Sequence, residues 1–456
     1  MLSQISMLLE RRGWTVRALG DFEQCIEIWE SILPIYESIG EVEAAARLCW
    51  ELGYQLIWLS RFPEAFATYA RGAELLGEER SATGATLIGS TAALLGLGGS
   101  LDAAEAQFAD ALALAEQLGD DRALGRIHWG RTMSFWSSLH VEAAIESGRA
   151  AIEHARRVGD LWTLVDALAW TSYPLIYSGH ADEAGPLAEE GVAIGAKVGH
   201  LGGEFLARRG CAGEKVFAQP DLDDLERRAR DDLDRLASIR SPWVSMSYAW
   251  VASLRTLRGD LDGALPYAEE AIRLEPESAW AGLGWAAKFV NRAMAGESDA
   301  CRRLLSEARA LLPEPGEPVT AGRLMMLYAA ARGCAIVGLA DEASALYPLV
   351  AARVNEMAIG DFWDVALAHR IAGMAAAAGK GWDEAEMHFA EARRQVDEFP
   401  DPLDLPHVLH CHAAMLLARG KPEDRERAHT MLDEALAGFR RFGMAWHTAA
   451  VEALLA

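Results

Sequence analysis

Apolar residues in this chain recur with a helical rather than a two-residue period, and glycine closes the apolar, Ala-rich segments at regular intervals. Gly119, Gly159 and Gly199 lie forty residues apart in equivalent surroundings, and Gly40 stands about two periods earlier. A glycine at the end of such a segment is the usual left-handed cap of a helix, because it carries no Cβ to clash there. A fixed period of this length predicts one helical unit copied many times along a solenoid.

A second landmark sets the internal geometry of the unit. Segments opening with a turning residue reach a small residue at their sixth position: Gly20 to Cys25, Ser60 to Ala65, Gly99 to Ala104, Ser138 to Ala143 and Gly179 to Ala184. The series continues with Gly259 to Ala264, Gly296 to Cys301, Gly338 to Ala343 and Lys380 to Ala385. A degenerate unit around Pro220–Leu225 and a last one from Gly420 to Ala428 bring the number to eleven. Seven positions upstream of most turning residues stands another small residue, at Gly13, Gly53, Ala92, Ser172, Ala252, Ala331 and Ala413. Both helices of these hairpins are therefore notched where they cross, and the Asp or Glu after each turn meets the positive end of the next helix dipole. The expected fold is all-α, a right-handed α-solenoid superhelix of about eleven helical hairpins.

These residues resemble the tetratricopeptide (TPR) repeat. Gly259-Asp-Leu-Asp-Gly-Ala-Leu-Pro-Tyr-Ala-Glu-Glu-Ala-Ile-Arg-Leu-Glu-Pro276 is similar to the second helix of that family, down to the closing proline, and Gly20-Asp-Phe-Glu and Leu52-Gly53 add consensus positions. The spacing departs from the family's period of about 34 residues, implying longer second helices. Such long repeats are similar to the C-terminal TPR regions of large bacterial ATPase, cyclase or helix-turn-helix signalling regulators, and Glu434 to Trp446 resembles their last helices. Five Lys among the 43 basic residues suit a bacterium with a GC-rich genome. The resemblance implies that first helices line a concave groove. Transferred by register, the groove positions hold Arg47, Trp50, Tyr54 and Trp58, then His128, Phe135 and Trp136, then Tyr173 and Tyr177, and near the end His407 and His410. Arg47, Trp50, Tyr54, Trp58, His128, Trp136, Tyr173 and Tyr177 are the expected partner-binding residues. Aromatic side chains with few cations do not resemble the carboxylate clamp of chaperone-binding TPR proteins, and they point instead to an apolar peptide, a partner helix or a small ligand that stacks on rings.

Charge and composition narrow the partners. A formal charge of −24, spread through helical segments, opposes phosphate backbones, so nucleic acid is excluded as a partner. The basic stretch Arg425 to Arg441 is interrupted by Glu426, Asp433 and Glu434 and reads as a solvated helix face. Six scattered cysteines without a C-x-x-C pair fit a cytoplasmic chain that uses Cys as a small buried residue. The N-terminus lacks the charge order of a signal peptide. Ser81 to Leu101 has no charge, but its many Gly, Ser and Thr residues and its place in the repeat predict a packed helix and no membrane span.

Chemistry is sparse. The nucleotide-binding loop of the similar regulators is missing, since Gly379-Lys-Gly and Gly420-Lys-Pro lack the needed glycine spacing, and no metalloprotease, hydrolase or EF-hand motif occurs. No catalytic residue, metal site or cofactor is expected. The nearest approach to a metal set is His407, His410 and Cys411, which share a helix face at i, i+3 and i+4 but lack a fourth ligand. Fifteen Trp, many on first helices, are mostly expected to fill gaps between stacked hairpins. The expected organisation is repeats over 1–200, a degenerate repeat at 201–240 that could act as a joint, and repeats with a terminal capping helix over 241–456. Met1 enters a repeat almost directly, as in a separated C-terminal half or a chain started late. The sequence therefore predicts a non-catalytic scaffold for a protein partner or a parental effector domain. The alternative is a small-ligand sensor of a signalling or transcriptional regulator, and oligomeric state stays open.

Overall fold

The computed structural model describes residues 2–218, 220–238, 240–355, 366–398 and 401–456. Among these residues the chain is all-α, with 23 α-helices and one 3-10 turn. The helices run in chain order as eleven pairs, from Leu2–Ala18 with Phe22–Ser38 to Leu405–Arg419 with Asp424–Arg441, followed by Ala445–Leu455. Two compact units are distinguished: residues 1–175, 182–211 and 234–244 form the first, and residues 176–181, 212–233 and 245–456 form the second.

Local chemistry explains the helix boundaries. Gly119 ends Leu101–Leu118 with φ +63° and Gly159 ends Val141–Val158 with φ +69°, both in the left-handed region that glycine enters without strain. The aspartate that follows each glycine starts the next helix. Asp120 Oδ1 accepts from the Ala123 N–H at 2.8 Å, and Asp160 Oδ1 accepts from the Thr163 N–H at 3.3 Å. Asp21 and Asp260 cap Phe22–Ser38 and Leu261–Leu274 in the same way. The uncharged stretch forms Ala82–Leu97, capped by Ser81, and no helix among the described residues is long and apolar enough to cross a membrane.

The sixth-position rule holds with one change of register. Cys25, Ala65, Ala104, Ala184, Ala264, Cys301, Ala343 and Ala385 are all fully buried. In the fourth hairpin the left-handed residue is Leu139, with φ +65°, and not Ser138. The fully buried small residue is accordingly Ala144 and not Ala143.

The upstream notches have a definite occupant. A Cβ added to Gly13 would overlap the indole of Trp29, and one added to Gly53 would overlap the ring of Tyr69. In both hairpins the aromatic stands nine residues after the turning residue and lies against bare backbone of the first helix. Gly373 and Phe389 repeat the arrangement, with the ring 3.0 Å from where a Cβ would stand.

In each unit, first helices of successive hairpins also pack on one another. Ala82–Leu97 contacts both Val42–Trp58 and Asp121–Ser137 in the first unit, and Ala321–Val337 contacts both Leu283–Met294 and Ala368–Ala378 in the second. The first unit contains longer-range ties as well. Ser241 Oγ donates to the Trp58 carbonyl at 2.6 Å, and Trp243 Nε1 donates to the Ile57 carbonyl at 3.1 Å.

Candidate functional site

In the first unit the aromatic first-helix residues meet a buried polar network. Tyr54 donates its hydroxyl to Asp166 Oδ2 at 2.5 Å, and His200 Nε2 lies 2.9 Å from both the Tyr54 hydroxyl and Asp166 Oδ1. The Gly203 N–H donates to His200 Nδ1 at 3.1 Å, which leaves the ring proton on Nε2, facing the carboxylate. Burial, and then the adjacent Asp166, push the Tyr54 hydroxyl well above its ordinary pKa. Trp162 stacks on His200 with centroids 4.0 Å apart, and the Arg17 guanidinium lies 3.6 Å from the Trp162 centroid. Arg17 reaches Glu51 at 3.1 Å, and Arg126, stacked over Trp50 at 3.7 Å, lies between Glu51 and Asp160 at 3.7 and 3.5 Å. Burial raises the Glu51 carboxyl against the opposing pull of Arg17, Arg126 and Arg47.

The predicted partner-binding residues fall in different surroundings. Trp50, Tyr54 and Trp58 are 3%, 2% and 7% exposed and pack with the network, Trp50 donating Nε1 to Ser90 Oγ at 2.8 Å. Trp58 lies on the backbone of Gly202, where a Cβ would come within 2.6 Å of its ring. Arg47 keeps part of its side chain in solvent while bridging to Glu10 at 2.7 Å. His128 is half-buried and stacked on His154 at 5.7 Å, and burial, then His154 and Arg131, lower its pKa to about 4. Trp136 is buried, Tyr173 donates to the Leu206 carbonyl at 2.8 Å, and Tyr177 is buried within the second unit. Asp166 and His200 were not anticipated. The available signal was that Asp166 is the single charged residue of Leu161–Tyr177. With Tyr54, Asp166 and His200 at 2%, 1% and 1% exposure, the cluster is closed to solvent and offers a substrate no approach.

The second unit contains a different kind of site. First helices of five successive hairpins, from Val244–Arg258 to Leu405–Arg419, and the last helix surround a cavity of about 360 Å³, a volume in the range of small-molecule pockets. Val290, Met294, Ile336, Met374, Trp382 and Trp446 give it apolar walls, and Arg332, Arg370, His407, His410 and His447 give it polar ones. Arg370 is held by Asp404 at 2.7 Å, and Asp404 also accepts the Leu367 N–H at 3.0 Å. His407 and His447 pack edge to face with centroids 4.4 Å apart. Burial, then the neighbouring His447, Arg370, His410 and Arg332, hold His407 well below the ordinary imidazole range, and burial with Arg370 brings His410 down to about 4. The groove positions His407 and His410 thus converge on this cavity with Cys411. Among the described residues no group of three His, Cys, Asp or Glu side chains is placed to hold a metal ion.

Paired helices, capped by left-handed glycines and closed by small residues at their crossing, define the architecture. The fold is an array of TPR-like helical hairpins. Similar solved structures include a Rap protein complexed with competence and sporulation factor (12% identity, 90% of this chain and 96% of that chain, TM-score 0.46). Another is yeast Tom70 (12% identity, 99% and 96% covered, TM-score 0.38). A third is a signal transduction ATPase with numerous domains and a tetratricopeptide repeat sensor from Pyrococcus horikoshii (11% identity, 85% and 55% covered, TM-score 0.30). No family model and no curated protein matches the sequence.

Proposed function

We propose that this TPR-like chain is a non-catalytic interaction module that binds another polypeptide. The observation that carries this reading is a group of exposed apolar side chains near the start of the first helix. Ile5, Met7 and Leu8 are 41%, 49% and 65% exposed there, and Ile5 and Leu8, three residues apart, share one helix face. Exposed apolar side chains gathered on a helix in this way are what a partner helix covers. On the aromatic first helices Arg47, His128 and Tyr173 retain exposed surface, so further partner contact is proposed through them. Photo-crosslinking from position 8, with an Ile5→Glu/Leu8→Glu variant as control, tests the reading. A defined crosslinked polypeptide that disappears in the variant supports it; equal labelling of both proteins counts against it.

The second-unit cavity favours a further reading, in which the module senses a small molecule. Its support is the volume together with the mixed lining of rings, aliphatic side chains, guanidinium groups and imidazoles. A thermal-shift screen of the purified chain against a metabolite library tests it, and a flat response across the library rejects it.

A further inference from the structure

The surface that the second-unit cavity leaves open is apolar. Its charged lining residues, Arg332 and Arg370, are 4% and 3% exposed, and His407 and His447 are 6% each. Arg370 is ion-paired with Asp404 at 2.7 Å, its Nε donates to the same carboxylate at 3.1 Å, and Arg332 is engaged within the protein as well. No Asp or Glu is among the described residues that line the cavity. Ile336, Met374, Trp382 and Trp446 also line it and are half-buried, so apolar surface of the kind that folding covers elsewhere stays uncovered here. His410 is the half-buried polar counterpart, and burial with Arg370 keeps its imidazole uncharged near neutrality.

We propose that this cavity binds a neutral compound of about two fused rings, its apolar body against Ile336, Met374 and the two tryptophans and a single hydroxyl or carbonyl group at His410. The proposal rests on the sensor reading above and adds the chemical class. Size sets the body: an apolar cavity of about 150 Å³ takes one benzene, and this one has about 360 Å³. Trp382 and Trp446 offer ring faces for stacking, and Met294 and Met374 offer thioethers for sulfur contacts with a ring. Charge of either sign is disfavoured. A cation meets no carboxylate on the wall, an anion meets guanidinium groups already engaged and withdrawn from the open surface, and an ion buried without a partner loses its hydration uncompensated. A neutral hydroxyl donates to or accepts from an uncharged imidazole, whichever ring nitrogen carries the proton. Ile336 stands on Ala321–Val337 and Trp446 on Ala445–Leu455, so one body touching both ties the last helix to an earlier hairpin, the kind of differential contact that lets a ligand shift a conformational equilibrium.

The test titrates the full chain with 2-naphthol, 2-naphthoate, 2-naphthylmethylammonium and phenol by calorimetry near neutral pH. 2-Naphthol is expected to bind about ten times more tightly than either ion, and more tightly than phenol, which fills less of the cavity. His410→Leu should weaken 2-naphthol by roughly fivefold, as loss of one hydrogen bond does. Ala414→Phe, which fills the cavity from a half-buried lining position, should abolish 2-naphthol binding while the helical signal in circular dichroism is kept. Ala378→Phe, at another half-buried lining position, serves should the first fail to fold. Equal or tighter binding of either ion, or of phenol, overturns the assigned class and leaves the sensor reading standing. Unchanged affinity in His410→Leu overturns the placement of the polar group. 2-Naphthol binding that survives the filled cavity, or its failure to bind the unaltered chain, overturns the inference itself. The sensor reading is then decided separately by the metabolite screen.

Discussion

Replacing Gly53 by alanine sets two effects of opposite sign against each other. In a helix interior alanine is more favourable than glycine by about 1 kcal/mol, so propensity alone predicts stabilisation. At Gly53 the new Cβ would stand 2.6 Å from Tyr69 Cζ and 2.7 Å from Tyr69 Cδ1, with Cε1 closer still. Carbon atoms prefer separations of about 3.5–4.0 Å. Tyr69 is 1% exposed, so its ring cannot turn out into solvent, and the helices must part. Overpacking of this kind costs about 1–3 kcal/mol, and the fixed ring places Gly53→Ala at the upper end. The expected net effect is a loss of about 1–2 kcal/mol, the difference of the two terms. Gly84 is the control: it lies in the first turn of Ala82–Leu97, and the nearest atoms to an added Cβ are at 3.6 Å, an ordinary contact. Gly84→Ala should stabilise by up to about 1 kcal/mol. Urea unfolding followed by circular dichroism reads both as shifts of the midpoint at unchanged slope. In a Tyr69→Leu background the penalty at Gly53 should vanish, giving a coupling energy of about 1.5 kcal/mol or more. A midpoint raised by Gly53→Ala in the otherwise unchanged protein, or an equal loss with and without the Tyr69 ring, would refute the notch as the element that closes the hairpin.

Three further outcomes follow from buried polar groups. Tyr54→Phe removes a hydrogen bond to the buried Asp166 carboxylate and should destabilise by about 1.5–3 kcal/mol in the same urea assay, with no change in helix content before unfolding. Burial, partly offset by the N–H groups of Gly282, Gly284 and Leu283, raises the Glu275 carboxyl to about 7. Its cost to folding is absent below about pH 4.5 and complete above about pH 7, so Glu275→Gln should raise the melting temperature at pH 8 and leave it unchanged at pH 4.5. Burial, followed by a neighbouring imidazole, lowers both His128 and His388 to about 4. Between about pH 6.5 and 4 the unfolded chain takes up these protons first, so stability falls with pH across that window at up to about 1.4 kcal/mol per pH unit for each imidazole. A His128→Gln/His388→Gln variant should show a shallower fall.

The hairpins were legible because their determinants are local. A turning residue, a small residue five positions on and a notch seven positions back all lie within one unit, and all the predicted sixth positions proved fully buried except where Leu139 moved the turn by one residue. The Tyr54, Asp166 and His200 cluster was not legible in the same way. Its members are 112 and 146 residues apart, and no periodicity of a single unit states which unit stands opposite. Helical register placed Trp50, Tyr54 and Trp58 on the inner face, but it carries no information about what fills the space in front of that face. The lone charge of Asp166 in an otherwise uncharged helix was the one local sign of a buried partner. For the second-unit cavity, register placed His407 and His410 on the correct face, whereas Arg332, Arg370 and His447 came from other helices and needed the structure.

The long-range ties of the first unit bear on how it folds. In a simple solenoid each repeat touches its neighbours alone, so the array can fray from an end and stability is a sum of local steps. Here Trp58 and Ile57 are hydrogen-bonded to Ser241 and Trp243, and Tyr54 to Asp166 and His200, which fastens the second hairpin to segments more than a hundred residues later. Chain-entropy must be spent before such contacts form, so folding of this unit is slower and more all-or-none than its helical content implies. A deletion of its first two hairpins would not shorten the array by two steps; it would release the later segments that close upon them.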